Sequence, residues 1–304
     1  MSYAFVFPGQ GSQSVGMLAE LYDEAPVIAD TFEHASSLLG YDLWQVVKNG
    51  PVEELNRTEV TQPAILVASV ACYRLWMEKG LDTPKVMSGH SLGEYSALVC
   101  ADAMKFEDAV TLVRDRGRFM QEAVAEGEGA MAAILGLDDE TVISVCQEAG
   151  QSQVLSAANF NSPGQVVVAG ETDAVNRAVD LAKEKGAKRA VPLPVSVPSH
   201  CLLMKSAAEK LASRLDGIDI NTSSIPVIHN VDGQARNDAE GIKLALVEQL
   251  YQSVRWVECV NTLASCEVEM VVECGPGKVL AGLIKRIDRS MTSKNLANLA
   301  DFAA

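Results

Sequence analysis

The chain has 304 residues, 48% of them hydrophobic, and is long enough to bury a sizeable core in one or two domains. Its formal net charge of −15 repels phosphate backbones and anionic lipid head groups, which argues against nucleic-acid and membrane partners. No apolar run approaches the roughly 20 residues of a membrane helix, the N-terminus lacks the basic start of a signal peptide, and the seven cysteines contain no CxxC pair. We therefore expect a cytoplasmic globular protein without a disulfide framework or a metal site.

Strands and helices are predicted to alternate in the N-terminal third of the chain. Tyr3–Phe7 is a short apolar run stopped by a glycine-rich loop, as expected of a buried strand. An N-cap signal at Thr61 and the apolar residues after it predict a buried helix that closes near Gly80. Lys85–Ser88 predicts a second short strand, and helical spacing resumes at Leu92. This segment therefore has the order strand, turn, helix.

A smaller unit is predicted between residues 126 and 195. It begins with a strand at Ala130–Leu135 and a helix from Asp138. Two strands follow at Val154–Asn159 and Gln165–Ala169, and then a helix at Thr172–Lys185 and a last strand at Lys188–Pro192. This βαββαβ order predicts a ferredoxin-like insert.

The elements after the insert return to the large domain. A helix is predicted from Ser199 to Lys210, a strand over Ile225–Asn230, and a further strand over Glu269–Cys274 that ends in a glycine-rich turn. Residues 1–125 and 196–304 are therefore predicted to form one large α/β domain with a parallel, hydrolase-like sheet.

The segment Gly89–Gly93 matches GxSxG, in which a serine occupies a strained turn between a strand and a helix. A side chain two residues before or after that serine would collide with the neighbouring strand or helix, which favours glycine at both positions. The backbone N–H of Leu92 would then point toward a developing oxyanion at the helix N-terminus. The motif in this context predicts Ser91 as a nucleophile.

A serine nucleophile needs a base, and the chain contains four histidines. His34 lies on an amphipathic helix and is interpreted as a solvated side chain. His90 adjoins the serine and either shapes the substrate pocket or supports the turn. His229 lies in an apolar strand, where a hydrogen-bonded structural histidine is the usual case. His200 follows the segment that re-enters the large domain, so the residue pattern favours it as the base without excluding His229.

The other polar candidates stay open on spacing alone. Gln10 lies in the loop after the first strand, where its N–H could form the second half of an oxyanion hole. Arg114, Arg116 and Arg118 lie on one predicted helix, and spacing does not choose among them. An arginine that points inward beside the serine could hold a substrate carboxylate through two charge-assisted hydrogen bonds. The glycine-rich stretches lack the spacing of nucleotide-binding loops, so no nucleotide cofactor is expected.

Six short motifs occur in order along almost the whole chain: Phe7–Gln13, Thr61–Pro63, Gly89–Gly93, Arg116-Gly117, Val197–His200 and Gly275–Leu280. As a set they resemble the bacterial malonyl-CoA:acyl carrier protein transacylases. The resemblance implies that His200 is the base and that Arg116 clamps a carboxylate. It also implies that Gln249 orients the base through its backbone carbonyl, and that Gln10 and Leu92 form the oxyanion hole.

Two positions depart from the pattern of that family. Gln252-Ser253 stands where Asn-Pro is frequent, and Cys274 stands where an aliphatic residue is usual. Without proline the loop after Gln249 lacks one fixed φ, so its carbonyl is expected to be held less rigidly. We expect an adjustment of the site and not its loss.

The resemblance implies a ping-pong transfer of malonyl from coenzyme A to the phosphopantetheine thiol of acyl carrier protein, for fatty acid biosynthesis. It implies no metal or redox cofactor, and a site between the large domain and the insert. The main alternative is an α/β-hydrolase esterase or thioesterase. Chain order disfavours that alternative, because a hydrolase histidine normally lies near the C-terminus, whereas about 100 residues follow His200. A noncatalytic docking subunit is disfavoured by the intact Ser91 and His200.

An acidic carrier protein would need a local basic surface on this acidic chain. Two clusters are candidates, one in the insert and one near the C-terminus: Lys183, Lys185, Lys188 and Arg189, and Lys285, Arg286 and Arg289. Taken alone, each cluster is better explained as the solvated face of a surface helix.

Overall fold

The computed structural model describes residues 1–195 and 197–302. Its strands are β1 Tyr3–Phe7, β2 Val86–Gly89, β3 Gly129–Leu135, β4 Leu155–Ser162, β5 Gln165–Glu171, β6 Arg189–Pro192, β7 Val227–Ile228, β8 Met270–Glu273 and β9 Ser293–Asn295. Its helices are α1 Ala19–Glu24, α2 Pro26–Leu39, α3 Leu43–Asn49, α4 Val52–Leu55, α5 Thr58–Glu78, α6 Gly93–Cys100, α7 Phe106–Ala123, α8 Asp139–Gly150, α9 Thr172–Glu184, α10 Lys205–Leu215, α11 Ala239–Gln249, α12 Trp256–Ser265 and α13 Val279–Ile287. Short 3₁₀ turns cover Leu202–Met204 and Leu299–Phe302.

A parallel five-stranded sheet forms the centre of the large domain, in the order β7, β2, β1, β8, β9. The residues of β1 alternate between two cores. Phe5 and Phe7 pack among α2, α5, α6 and α7, whereas Ala4 and Val6 pack against α12 and α13. Because helices cover both faces of the sheet, this central strand is apolar on both sides, which explains its continuous apolar sequence.

An antiparallel four-stranded sheet forms the smaller unit, in the order β4, β5, β3, β6. The helices α8 and α9 cover one face, where Ile134 and Val166 lie in their shared core. The opposite face carries Met131 and Val167, which pack with Cys201 of the large domain. The predicted α/β fold, with a parallel sheet and a smaller ferredoxin-like sheet, is confirmed.

The exact domain boundaries stay a prediction. The antiparallel sheet begins at Gly129 and ends at Pro192, inside the predicted insert of residues 126–195. Residue 196, where the large domain is predicted to resume, lies outside the described residues, as do residues 303–304.

Two predicted helices have different limits in the structure. The helix expected after an N-cap at Thr61 begins at Thr58, because the Thr61 amide already donates to the Arg57 carbonyl (2.8 Å) within the helical ladder. The helix predicted from Ser199 to Lys210 spans Lys205–Leu215. It starts late because His200 has a left-handed backbone, with φ of 62°, which interrupts helical geometry.

The strand predicted over Ile225–Asn230 is shorter than expected. Only Val227–Ile228 pairs with β2. Pro226 has no N–H to donate to a neighbouring strand, and the His229 amide donates to the Gln234 carbonyl (2.9 Å), so the chain already turns there.

The described ranges hold neither a membrane-spanning helix nor a metal-binding cluster. Within residues 1–195 and 197–302, no helix combines the length and the apolar character needed to cross a bilayer. In the same ranges, no group of three or more His, Cys, Asp or Glu side chains is arranged to hold a metal ion.

Candidate active site

The tight turn between β2 and α6 presents Ser91. Its backbone is left-handed, with φ of 52°, and its N–H donates to Oδ1 of Asn230 (2.7 Å). A Cβ added at Gly89 would lie 1.8 Å from the carbonyl carbon of Gly93, and one at Gly93 would lie 2.0 Å from the Phe7 carbonyl oxygen. Both glycines are therefore required by close backbone approach, as the sequence predicts.

His200 faces the serine hydroxyl. Its Nε2 lies 2.8 Å from Oγ of Ser91, and its Nδ1 lies 2.7 Å from the backbone carbonyl oxygen of Gln249. A carbonyl oxygen only accepts hydrogen bonds, so Nδ1 carries the proton and Nε2 is free to accept the serine proton. The backbone N–H of His200 also donates to the Leu250 carbonyl (3.0 Å), so the backbone of this histidine is attached to the same segment that its ring contacts.

The environment keeps His200 neutral. Burial, reinforced by the positive charge of Arg116, lowers the pKa of His200 to about 3, although the hydrogen bond to Gln249 opposes the shift. A neutral imidazole with an unprotonated Nε2 can act as a general base over the whole physiological pH range.

Arg116 reaches the site from α7 and is almost completely buried. It donates from Nη1 to Oε1 of Gln62 and from Nη2 to Oε1 of Gln249, both at 2.9 Å. Its Nη2 also lies 3.5 Å from Oγ of Ser91. The next residue, Gly117, lets α7 approach α5, because a Cβ there would lie 2.6 Å from the Thr58 carbonyl oxygen. Burial lowers the pKa of the Arg116 guanidinium.

The other two arginines of α7 face away from the serine. Arg114 and Arg118 both contact the carboxylate of Asp115, at 3.2 and 3.4 Å, and their side chains are partly or largely exposed. The structure therefore identifies which of the three arginines points inward, a choice that sequence spacing left open.

His90 connects the turn to the insert. Its Nε2 lies 2.8 Å from Oδ1 of Asn161 on β4, and burial lowers its pKa. Gln10 is exposed in the loop after β1, and Leu92 is buried directly after Ser91. Both residues line the same cleft as the serine, and their roles in an oxyanion hole stay a prediction.

The cleft lies between the carboxyl ends of β1 and β2 and the open face of the insert sheet, and measures about 250 Å³. The large domain contributes the catalytic candidates, and Met131 and Val167 of the insert form part of the opposite wall. Crevices outside the carboxyl ends of parallel strands are the usual ligand sites of open α/β sheets. The arrangement can support acyl transfer by a serine with a neutral histidine base and a nearby cation.

Comparison with known proteins agrees with this geometry. The family model described as "Acyl transferase domain" matches residues 4–300. The chain belongs to this family. It is similar to the malonyl CoA-acyl carrier protein transacylase of Escherichia coli strain K12, with 56% identity over 302 residues, 99% of this chain and 98% of that protein.

Solved acyl transferases have the same fold. An acyl carrier protein S-malonyltransferase from Vibrio cholerae superimposes with a TM-score of 0.97 at 56% identity, covering 99% of this chain and 98% of that one. A malonyl-transacylase solved in complex with a type II PKS acyl-carrier protein gives a TM-score of 0.98 at 54% identity over 99% and 98% of the two chains. These relatives do not favour the hydrolase alternative.

Sequence reasoning missed several buried polar residues of this acyl transferase site. Asn230 accepts the Ser91 amide, Gln62 accepts from Arg116, and Glu94 accepts from Gln249 (2.9 Å). The available signal was a polar residue inside an otherwise apolar segment, since such residues are retained only with hydrogen-bond partners.

His229, the alternative base, is fully buried with Nδ1 2.7 Å from Oε1 of Glu94, and it does not line the cleft. The hydrogen-bonded structural interpretation of this histidine therefore agrees with its position in the acyl transferase fold.

The loop after Gln249 is held without the proline expected there. Ser253 donates from Oγ to the Ala157 carbonyl (2.6 Å), and the Val254 amide donates to the Ala158 carbonyl (2.9 Å). These contacts attach the loop to the edge of β4, so hydrogen bonds to the insert limit its motion in place of a fixed φ. The other departure, Cys274, is buried with Sγ 3.5 Å from the Ser69 carbonyl.

Proposed function

We propose that the chain transfers a malonyl group from coenzyme A to the phosphopantetheine thiol of acyl carrier protein, through an ester on Ser91, in fatty acid biosynthesis. The observation that carries the proposal is the position of Arg116. Its guanidinium is buried beside the serine hydroxyl, and its hydrogen bonds within the described residues go to amide and hydroxyl oxygens only. A buried cation that is not paired with a carboxylate of the chain is suited to an acyl group that brings a carboxylate of its own.

The first half-reaction forms the acyl ester. Nε2 of His200 takes the proton of the Ser91 hydroxyl while Oγ bonds to the thioester carbonyl carbon. The carbon–sulfur bond then breaks, and the coenzyme A sulfur leaves with the proton from His200. Backbone N–H groups of Gln10 and Leu92 are proposed to stabilise the oxyanion between these two steps.

The second half-reaction reverses the roles. The carrier thiol gives its proton to His200, and its sulfur attacks the ester carbon. The bond to Oγ of Ser91 breaks, and the serine recovers the proton. One thioester replaces another and every atom is accounted for, so we propose that no cofactor takes part.

We propose that the carrier protein docks, in the cytoplasm, on one of the two basic clusters, that of the insert or that near the C-terminus. Lys183 and Lys185 are already paired with Asp180 and Glu148, at 3.1 and 2.9 Å. The basic residues of the insert cluster that remain are two neighbours at the start of β6, Lys188 and Arg189. In the C-terminal cluster, Arg286 donates to Oε1 of Gln165 (2.5 Å), a residue of the cleft wall.

Intact mass spectrometry tests the proposed function. The native protein incubated with malonyl-CoA should gain one malonyl group, and addition of carrier protein with its phosphopantetheine arm should move that group to the carrier. Ser91→Ala should form no adduct while keeping the native thermal unfolding profile, since the hydroxyl is small and at a cleft. A malonyl adduct on the Ser91→Ala variant, or release of free malonate in preference to transfer, would refute the proposal.

A further inference from the structure

Glu94 is a buried carboxylate that the proposed transfer does not use. It lies in the first turn of α6, just after Ser91, and is fully buried. Its Oε1 lies 2.7 Å from Nδ1 of His229. Its Oε2 accepts hydrogen bonds from the backbone N–H of Asn230 and from Nε2 of Gln249, both at 2.9 Å. A carboxylate is kept in such a place only when its oxygens are hydrogen-bonded, and two of these three partners contact the catalytic serine.

The Gln249 side chain has one orientation that satisfies all its neighbours. Its Nε2 donates to the Ser91 carbonyl (3.0 Å) and to Oε2 of Glu94 (2.9 Å), and both of these groups only accept. Its Oε1 therefore faces Nη2 of Arg116 (2.9 Å), which only donates. Turning the amide over would place oxygen against oxygen at Glu94 and donor against donor at Arg116. Glu94 thus holds the amide in the orientation that Arg116 requires.

Gln249 also separates two buried charges. The guanidinium of Arg116 contacts the amide oxygen, and the carboxylate of Glu94 contacts the amide nitrogen. A direct pair between these two charges would engage the guanidinium and leave it less available to a substrate carboxylate. The neutral amide between them leaves N–H groups of Arg116 free for the substrate.

The same carboxylate is linked to the nucleophile. The backbone N–H of Asn230 donates to Glu94, and the side-chain Oδ1 of Asn230 accepts a hydrogen bond from the backbone N–H of Ser91 (2.7 Å). The carboxylate of Glu94 therefore fixes Asn230 and Gln249, which are both distant in sequence, in their positions beside Ser91.

We propose that Glu94 is a positioning residue for carboxylate selectivity, which orients the Gln249 amide and thereby holds Arg116 beside Ser91. The inference rests on the malonyl transfer proposed above. The malonyl adduct of the native protein tests that function, whereas the comparison among variants at position 94 tests the positioning role, so failure of one is distinguishable from failure of the other.

Two substitutions separate geometry from charge. Glu94→Gln keeps the side-chain length and an acceptor oxygen for Asn230 and Gln249, but removes the charge. Glu94→Asp keeps the charge but withdraws both oxygens by one methylene group. The readout is the ratio of kcat/KM for malonyl-CoA to kcat/KM for acetyl-CoA in acyl-enzyme formation.

If Glu94 acts by orientation, Glu94→Gln should keep this ratio within about threefold of native, and Glu94→Asp should lower it about tenfold or more, mainly by raising KM for malonyl-CoA. Glu273→Asp is the matched control. Glu273 is equally buried, but it accepts from the Leu280 and Ala281 amides (3.0 and 2.8 Å) at the start of α13. Its shortening should lower the unfolding temperature and leave the ratio at the native value.

Two results would overturn the proposal. A native ratio in Glu94→Asp would show that the position of the carboxylate does not matter. A loss in Glu94→Gln as large as that in Glu94→Asp would show that the charge, and not the orientation of Gln249, is what the site needs.

Discussion

Replacing Arg116 by alanine should convert a malonyl-selective site into one that no longer prefers a carboxylate. Two of the five N–H groups of the guanidinium are donated to Gln62 and Gln249, which leaves others for a substrate carboxylate. Two charge-assisted hydrogen bonds of about 1.5–3 kcal/mol each would be lost, a total of about 3–6 kcal/mol. At about 1.4 kcal/mol per tenfold change, kcat/KM for malonyl-CoA should fall by about 10² to 10⁴.

Acetyl-CoA should be affected much less, because it has no carboxylate to bind the guanidinium. In the native site, an acetyl group leaves the buried Arg116 without a carboxylate partner, which costs free energy. The alanine variant removes this cost because it removes the guanidinium. The assay is single-turnover acylation of Ser91 with each thioester, followed by intact mass. Arg118→Ala is the control, since Arg118 is on the same helix but faces Asp115 and solvent. An equal loss for malonyl-CoA and acetyl-CoA would refute the reasoning and make Arg116 a structural residue.

His200→Ala should slow acylation by about 10² or more, the usual contribution of a positioned base. A larger effect of His229→Ala in the same assay would show that the assignment of His200 as the base is wrong. Because burial and Arg116 lower the pKa of His200 to about 3, the native acylation rate measured by rapid quench should stay constant from neutral pH down to about pH 5. Arg116→Gln removes one of the groups that lower the pKa of His200, so this pKa should rise and the acid limb of the pH profile should move to higher pH. Reversing Lys188 and Arg189 to glutamate should raise the KM for carrier protein, more at low than at high salt, and leave the KM for malonyl-CoA unchanged; if neither constant changes at low salt, docking occurs elsewhere.

Local features of the chain predict the framework of the site. The apolar run of β1 and the GxSxG segment each depend on contacts close in sequence or on neighbouring strands, and their residue patterns report those contacts directly. Gly89 and Gly93 are examples, since the backbone around each leaves no room for a Cβ. The ordered motifs add the family resemblance, and with it the expected roles of His200, Arg116 and Gln249.

Helix limits were less predictable, because they depend on contacts between the helix ends and segments that are distant in sequence. Thr61 is a residue type that favours the N-cap position, but packing of α5 extends the helix back to Thr58. His200 adopts a left-handed backbone where its own segment would favour a helix, and this conformation accompanies its contacts with Gln249 and Ser91. Such long-range contacts override local propensity.

By itself, the sequence determined the fold class, the serine turn and a short set of candidates, because periodicity and glycine positions record local packing. Only the tertiary structure decided which candidates meet. Arg116 differs from Arg114 and Arg118 through the packing of α7 on α5, and no spacing rule contains that contact. The buried network around Glu94 joins residues far apart in the chain, and hydrogen bonds of that kind exist only once the sheet and its helices have brought their backbones together.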